Sequence, residues 1–152
     1  APPGTRAEVL LTLDEVAVLP AGHALAHKSA LNLADFAGEF FVSLSADDPY
    51  RRLIDARFAE AGVERTLRVE THSAAAVCAM VEQGLGIAIV NPVTALAAAS
   101  ERLVLRQLAF SIPFSVTALL PLYRPPLPEV APMLDALRSE AADIARRLHA
   151  LA

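Results

Sequence analysis

Four kinds of side chain here could take part in chemistry: one cysteine, four histidines, adjacent acids, and small polar residues placed just before helices. Cys78 lies in "SAAAVCAMVEQG", on the apolar side of a helical pattern. Apolar burial keeps a thiol protonated, so Cys78 reads as core and not as a nucleophile. His23 and His27 are four apart, a metal-ligand spacing if the segment is helical. No third ligand stands nearby, and the segment has loop character. His149 falls near the end of the last helical stretch, where the helix dipole alone favours a cation. Asp47 and Asp48 directly precede a helix, and capping accounts for them more simply than general acid–base work. "GLG" at residues 84–86 follows a helix and enters a strand. That is the reverse of the order that places phosphate on a helix N-terminus, so it reads as a tight turn. No catalytic group emerges, and neither a metal nor a cofactor is expected.

What remains is a set of helix starts fed by strands. Three junctions carry small polar residues: "VSLSADDP", "ETHS" and "VNP". In α/β folds, ligands bind at the carboxyl ends of strands. Free N–H groups and positive potential at the helix starts suit carboxylates. Ser43, Ser45, Thr71, His72, Ser73 and Asn91 can add side-chain hydrogen bonds. Ser73 and Asn91 are also ideal caps. Ser43 and His72 are not needed as caps, so they read as binding residues.

The elements that must position these groups follow from periodicity. Residues 8–12 and 15–19 read as two strands split by Asp14, the second stopped by Pro20 and Gly22. A connector follows, with a short helix near 33–37 between Asn32 and Gly38. "EFFVSLS" is strand-like. Pro49 suits the first turn of the next helix, which Asp47 or Asp48 can cap and whose Ile54, Phe58 and Ala61 share a face. "TLRVET" is a strand. Ser73 then caps a helix that turns Ala74, Val77, Cys78 and Val81 inward. "GIAIV" is a continuous apolar run, as expected of a strand covered on both faces. Asn91 caps the next helix, with Pro92 at its first position. Two later strands, "RLVLRQL" and "FSVTALLPL", lead to a stiff connector at Pro125, Pro126 and Pro128. A long amphipathic helix closes the chain, its stripe running Val130, Met133, Leu134, Leu137, Ala141, Ile144, Ala145, Leu148. Strands alternating with helices imply an α/β fold with a largely parallel sheet.

Composition bounds the function. The 152 residues are 55% hydrophobic and 20% charged, enough to bury a core and too apolar for disorder. A net charge of -4 offers no general attraction to nucleic acid. A single cysteine excludes an internal disulfide and points to a reducing compartment. No signal peptide and no membrane-spanning run is visible. The start without Met suggests a fragment or a processed chain.

The phrase Pro20, His23, Leu25, then Leu33, Asp35, Phe36 and Gly38, resembles the effector-binding domain of LysR-type transcriptional regulators. "RVETHSAAAVCAMVEQGLGIAIVNP" and "FSVTALLPLYRPPLPEVAPMLDALR" resemble that family's next block and its closing strand, proline connector and helix. The resemblance runs from about Leu11 to Arg138, carried by order and spacing. "FVSLSADDPYRRLID", "VETHSAAAVCAMV" and "NPVTAL" are similar to the subgroup that answers to lysine-pathway amino acids and opines.

The resemblance implies a type 2 periplasmic-binding-protein-like fold, with two lobes and an effector between them. On that template residues 1–17 end lobe I and cross over, 18–108 form lobe II, and 109–152 return to lobe I. Lobe I would be incomplete, and half the effector site would lie outside this chain. Ser43 would bind an effector carboxylate or amide. Ser45, Asp47 and Tyr50 lie behind it, Thr71 and His72 line the same cleft, and Asn91 and Pro92 stand at the hinge side. Asp47 would suit a cationic effector. The implied partners are a small-molecule effector, a second copy in an antiparallel dimer, and a tetramer in the parent protein. DNA would be met only through a winged helix-turn-helix outside this chain. The implied setting is cytoplasmic, with no membrane partner. A solute-binding protein of the same fold is the alternative reading, and an enzyme would need a nucleophile or acid–base pair in the cleft.

Overall fold

The computed structural model describes residues 1–125 and 127–150; Pro126 of the expected connector lies outside them. Two long strands, β1 (Thr5–Asp14) and β8 (Pro113–Pro121), pair antiparallel as a ribbon of their own. The chain leaves β1 at Glu15 and enters β2 (Val16–Pro20). β1 runs longer than its apolar pattern suggests, β2 keeps the expected length one residue further on, and the break falls at Glu15, not Asp14. The segment after β2 holds a 3₁₀ turn (Ala24–His27), the two-residue β3 (Ala30–Leu31) and a second 3₁₀ turn (Leu33–Phe36). In the second turn Asn32 and Asp35 cap each other reciprocally. His23 is spent locally: its Nδ1 accepts from the Leu25 N–H at 3.2 Å, and its Nε2 lies 3.3 Å from Glu39.

Next come β4 (Phe40–Leu44), α1 (Pro49–Ala61), β5 (Thr66–Thr71), α2 (Ala74–Glu82), β6 (Ala88–Val90), α3 (Pro92–Ala98) and β7 (Leu103–Leu108). β2, β3, β6 and β7 form one sheet in the order β3-β7-β2-β6. β4 and β5 pair in parallel, and a parallel bridge between Phe41 and Ile87 joins β4 to the chain entering β6. The sheet is parallel apart from β2, which runs antiparallel to both β6 and β7.

Alternation along the strands sorts the core into two layers. Val16, Val18, Val42 and Val90 pack with Val77, Cys78 and Val81 of α2 and Ala95 of α3. Ala17, Leu19, Phe41, Ile87 and Ile89 point the other way, onto Ile54 and Phe58 of α1 and onto Phe36. Phe36 meets Phe58 edge to face at 5.3 Å, the geometry aromatic quadrupoles favour. Cys78 is buried, and burial pushes its thiol up to about 11, so it is core.

The last helix, α4 (Val130–His149), packs on the ribbon, where Arg138 pairs with Glu8. Leu134, Ala141 and Leu148 are buried. Met133 and Leu137 of the expected apolar stripe are exposed, as are Val9 and Leu119 of the ribbon.

Candidate functional site

β4, β5 and β6 bring their carboxyl ends to one edge of the larger layer, and β2, being antiparallel, starts there. Ser43 occupies that end of β4. It is 2% exposed, and among the described residues nothing hydrogen-bonds its hydroxyl. A buried hydroxyl without a partner costs about 1–3 kcal/mol of desolvation. Something must repay that cost, or the site carries it.

Beyond β4 the chain turns into α1, and here the two acids separate. Asp48 is the cap: its Oδ1 accepts from the Tyr50 N–H at 2.8 Å and the Arg51 N–H at 3.1 Å. Asp47 is free of that duty and exposed. The Ser45 hydroxyl beside it, with backbone N–H and His72 contributions, holds its carboxyl below the usual range. The Tyr50 ring packs on Phe114 of β8 with centroids 5.6 Å apart, so it ties α1 to the ribbon.

At the end of β5, Thr71 lies opposite Leu44, and its carbonyl accepts from the Ser45 N–H at 3.0 Å. This lock brings His72 to Ser45: Nδ1 and Oγ are 2.7 Å apart. Asp47 Oδ1 stands 3.9 Å from the same nitrogen. A serine, a histidine and an aspartate thus meet, but not as a hydrolytic triad. A triad needs the hydroxyl on one ring nitrogen and the carboxylate on the other. Here both oxygens address Nδ1, so no proton can be passed along, and the Ser45 hydroxyl gathers the trio into a polar wall in which Asp47 lies near His72 without bonding it.

The remaining candidates are caps. Ser73 Oγ accepts from the Ala76 N–H at 3.3 Å, and Asn91 Oδ1 from the Thr94 N–H at 2.8 Å. Pro92 is buried at the first position of α3. The structure therefore gathers Ser43, Ser45, Asp47, Thr71 and His72 at one edge. Ser73, Asn91 and Pro92 serve the helices that end there.

Two residues outside the sequence-based set belong to this edge. Arg51, 7% exposed, donates from Nη1 to the Leu44 carbonyl at 2.8 Å and to Glu70 Oε1 at 2.7 Å, and from Nε to Asp55. It clamps β4, β5 and α1 where the candidate residues emerge. Its i,i+4 spacing to Asp55 was a readable signal; its tertiary partner Glu70 was not. Arg51→Met keeps the stem and deletes the fork, and should cost about 2 kcal/mol in urea unfolding. An unchanged midpoint would show that the clamp is dispensable.

Glu15 is the second. It is 2% exposed, between β1 and β2, and burial followed by the charge of Asp48 raises its pKa to about 8. An acid in phase with inward-facing Ala17 and Leu19 was the signal. A cavity of about 300 Å³ adjoins the strand junction, with Thr12, Glu15, Gln107 and His149 on its wall.

Comparison with known proteins agrees with this geometry. The family profile "LysR substrate binding domain" matches residues 1–142. The chain is 47% identical over 154 residues to the transcriptional activator protein LysR of Escherichia coli (strain K12), covering 92% of this chain and 50% of that protein. It is 31% identical over 141 residues to the regulatory protein NocR of Agrobacterium tumefaciens (strain T37), covering 90% of this chain and 47% of that one. The chain thus spans about half the length of these relatives. Among solved structures, the CcmR regulatory domain of Synechocystis PCC6803 in complex with 2-PG superposes with a TM-score of 0.73 at 19% identity, over 93% of this chain and 70% of that one. The fold is that of the type 2 periplasmic binding proteins, and the chain belongs to the LysR substrate-binding-domain family.

Proposed function

We propose that the edge built from Ser43, Ser45, Asp47, Thr71 and His72 is one wall of an effector cleft, and that the chain senses a small amino-acid-like metabolite for a LysR-type regulator. The observation that carries this is the buried, unpartnered hydroxyl of Ser43 at the carboxyl end of β4. Among the described residues it is a donor and acceptor kept out of water with nothing to bind, at the edge where α/β folds take ligands. Tyr50, Ser73, Asn91 and Pro92 complete the set by holding the helices in place. The similarity to LysR and NocR favours lysine-pathway amino acids or opines as the effector class, and favours a regulator over a solute-binding protein.

On this reading residues 18–108 are lobe II, residues 1–17 carry the crossing strand, and 109–152 return to lobe I. The separate β1–β8 ribbon and the exposed apolar side chains of Val9, Leu119, Met133 and Leu137 support that division. The protein works in the cytoplasm, without catalysis, as an isologous dimer within a tetramer whose winged helix-turn-helix parts meet DNA. Among the described residues no helix is long and apolar enough to cross a membrane. Effector binding acts by favouring one lobe arrangement over another.

The test is Ser43→Ala in the full-length protein, titrated calorimetrically with lysine-pathway amino acids and opines. Affinity should fall about tenfold, and the melting temperature should hold or rise, since a buried unpaired hydroxyl is removed. Unchanged affinity with lowered stability would make Ser43 a structural residue.

A further inference from the structure

α4 has buried contacts on both sides of the two chain crossings that join the ribbon to the sheet. The first crossing is Glu15, between β1 and β2. The second is residues 109–112, between β7 and β8. The crossings bind each other: the Glu15 N–H donates to the Ile112 carbonyl at 2.9 Å, and the Ser111 hydroxyl donates to Asp14 Oδ1 at 2.6 Å. Any rotation of the ribbon against the sheet works on these bonds. The first half of α4 belongs to the ribbon. It packs on β1, Leu134 is buried, and Arg138 pairs with Glu8. The last turns of α4 belong to the sheet. Ile144 and Leu148 join the cluster that holds Val16 and Val18, and Leu148 is 6% exposed there. Gln107 of β7 donates from Nε2 to the Leu148 carbonyl at 3.3 Å. Between Leu134 and Leu148 lies ~21 Å of helix. The cavity of about 300 Å³ adjoins the last turn, with β1, β2, β7 and α4 all on its wall.

Resting on the reading of residues 18–108 as lobe II and of the ribbon with α4 as lobe I, we propose that α4 is a strap across the hinge. Leu134 anchors it on the ribbon and Leu148 anchors it in lobe II, and together they hold the lobes in the observed arrangement. A hydrogen-bonded helix does not stretch. Rotation about the crossings must therefore lift Leu148 out of the lobe II core or drag α4 off β1. Lifting Leu148 returns buried apolar surface to water and separates its carbonyl from Gln107. The strap thus widens the free-energy gap between lobe arrangements. An effector shifts that equilibrium only by its differential affinity for the two, so the strap sets how large that difference must be. The cavity beside Leu148 gives the last turn room to shift before the neighbouring strands must move. On the opposite face the Tyr50 ring rests on Phe114, with centroids 5.6 Å apart. Both rings are half-buried, so this contact braces the hinge without inserting into either core.

The test is amide hydrogen exchange, read by mass spectrometry on the full-length protein without effector. In the wild type, peptides over the crossings (residues 11–17 and 107–114) should exchange faster than peptides over β6, because a hinge opens locally. Leu148→Ala should speed exchange at both crossings about tenfold and leave β6 at its wild-type rate. Leu134→Ala lies ~21 Å along the helix and should do the same, since a strap needs both anchors. Gln107→Met and Arg138→Met keep their apolar stems, and each stands in for the alanine variant at its own anchor should that variant fail to fold. Crossings that keep wild-type protection when the ribbon anchor is cut, or that speed up only in step with β6, would overturn the strap and make Leu148 a core residue. If the wild-type crossings exchange no faster than β6, there is no hinge, and the two-lobe reading fails and takes the strap with it.

Discussion

Between about pH 4.5 and pH 8 the protein should lose stability steadily, and Glu15→Gln should abolish most of that loss. In the unfolded chain Glu15 releases its proton near 4.5. In the native fold, burial and then the charge of Asp48 hold the proton on until about pH 8. Over that window the native state binds one proton more than the unfolded state, so raising the pH favours unfolding. The full interval is worth on the order of 4 kcal/mol, an upper bound set by the native pKa. Asp35 and Asp47 do not mask the slope. Their carboxyls are held low, by the hydrogen bond from Lys28 and by that from Ser45, and their stabilisation is lost only as the pH falls below the window. Urea unfolding at pH 5 and pH 8.5 measures the effect. Wild type should weaken sharply between the two, and Glu15→Gln should be nearly flat and the more stable at pH 8.5. Asp48→Asn should keep part of the slope, because it removes the second cause and leaves the first. An equal slope in wild type and Glu15→Gln would mean that another group carries the titration.

Much of this was legible because local rules and tertiary structure agree. Asn32, Asp48, Ser73 and Asn91 all cap where short polar residues precede apolar periodicity. Val77, Cys78 and Val81 are buried, as helical spacing requires. The junctions "VSLS" and "ETHS" were readable as strand ends that feed helix starts, and the structure sets them side by side. What was not legible depends on pairing at a distance. β3 has two residues and exists only through its ladder with Gln107 and Leu108 of β7. The clamp by Arg51 needs Glu70, nineteen residues on, and a carbonyl of β4. The meeting of Ser45, Asp47 and His72 requires β4 and β5 to pair in register, which no local pattern encodes. Glu15 passed as an ordinary polar residue at a strand boundary. Only the sheet order reveals that its side faces α1.

Gly86→Ala should be the most damaging single methyl in the chain, costing about 4 kcal/mol. "GLG" reads as one tight turn, but the two glycines do different work. Gly84, at φ 79°, makes the turn out of α2, and a Cβ there would meet nothing within 4 Å. Gly86 sits where the chain runs alongside β4. A Cβ on it would fall 2.4 Å from the Phe40 carbonyl oxygen and 2.8 Å from its carbon. Neither is the movable tip of a side chain. The Phe40 carbonyl also accepts from the Ile87 N–H at 2.9 Å, and the Val42 N–H donates to the Ile87 carbonyl at 2.9 Å. Relieving the clash means parting the strands and stretching these bonds. They join β4–β5 to the larger sheet, and so fix Ser43 relative to Glu15. The loss should therefore appear twice, as a lower unfolding free energy in urea and, on the proposed effector-cleft reading, as weakened effector binding at temperatures where the variant is still folded. Gly84→Ala is the control. It is strained by its positive φ but meets no neighbour, so it should cost about 1 kcal/mol and leave binding intact. If Gly86→Ala melts like Gly84→Ala, the close approach is not what holds the two halves of the sheet in register.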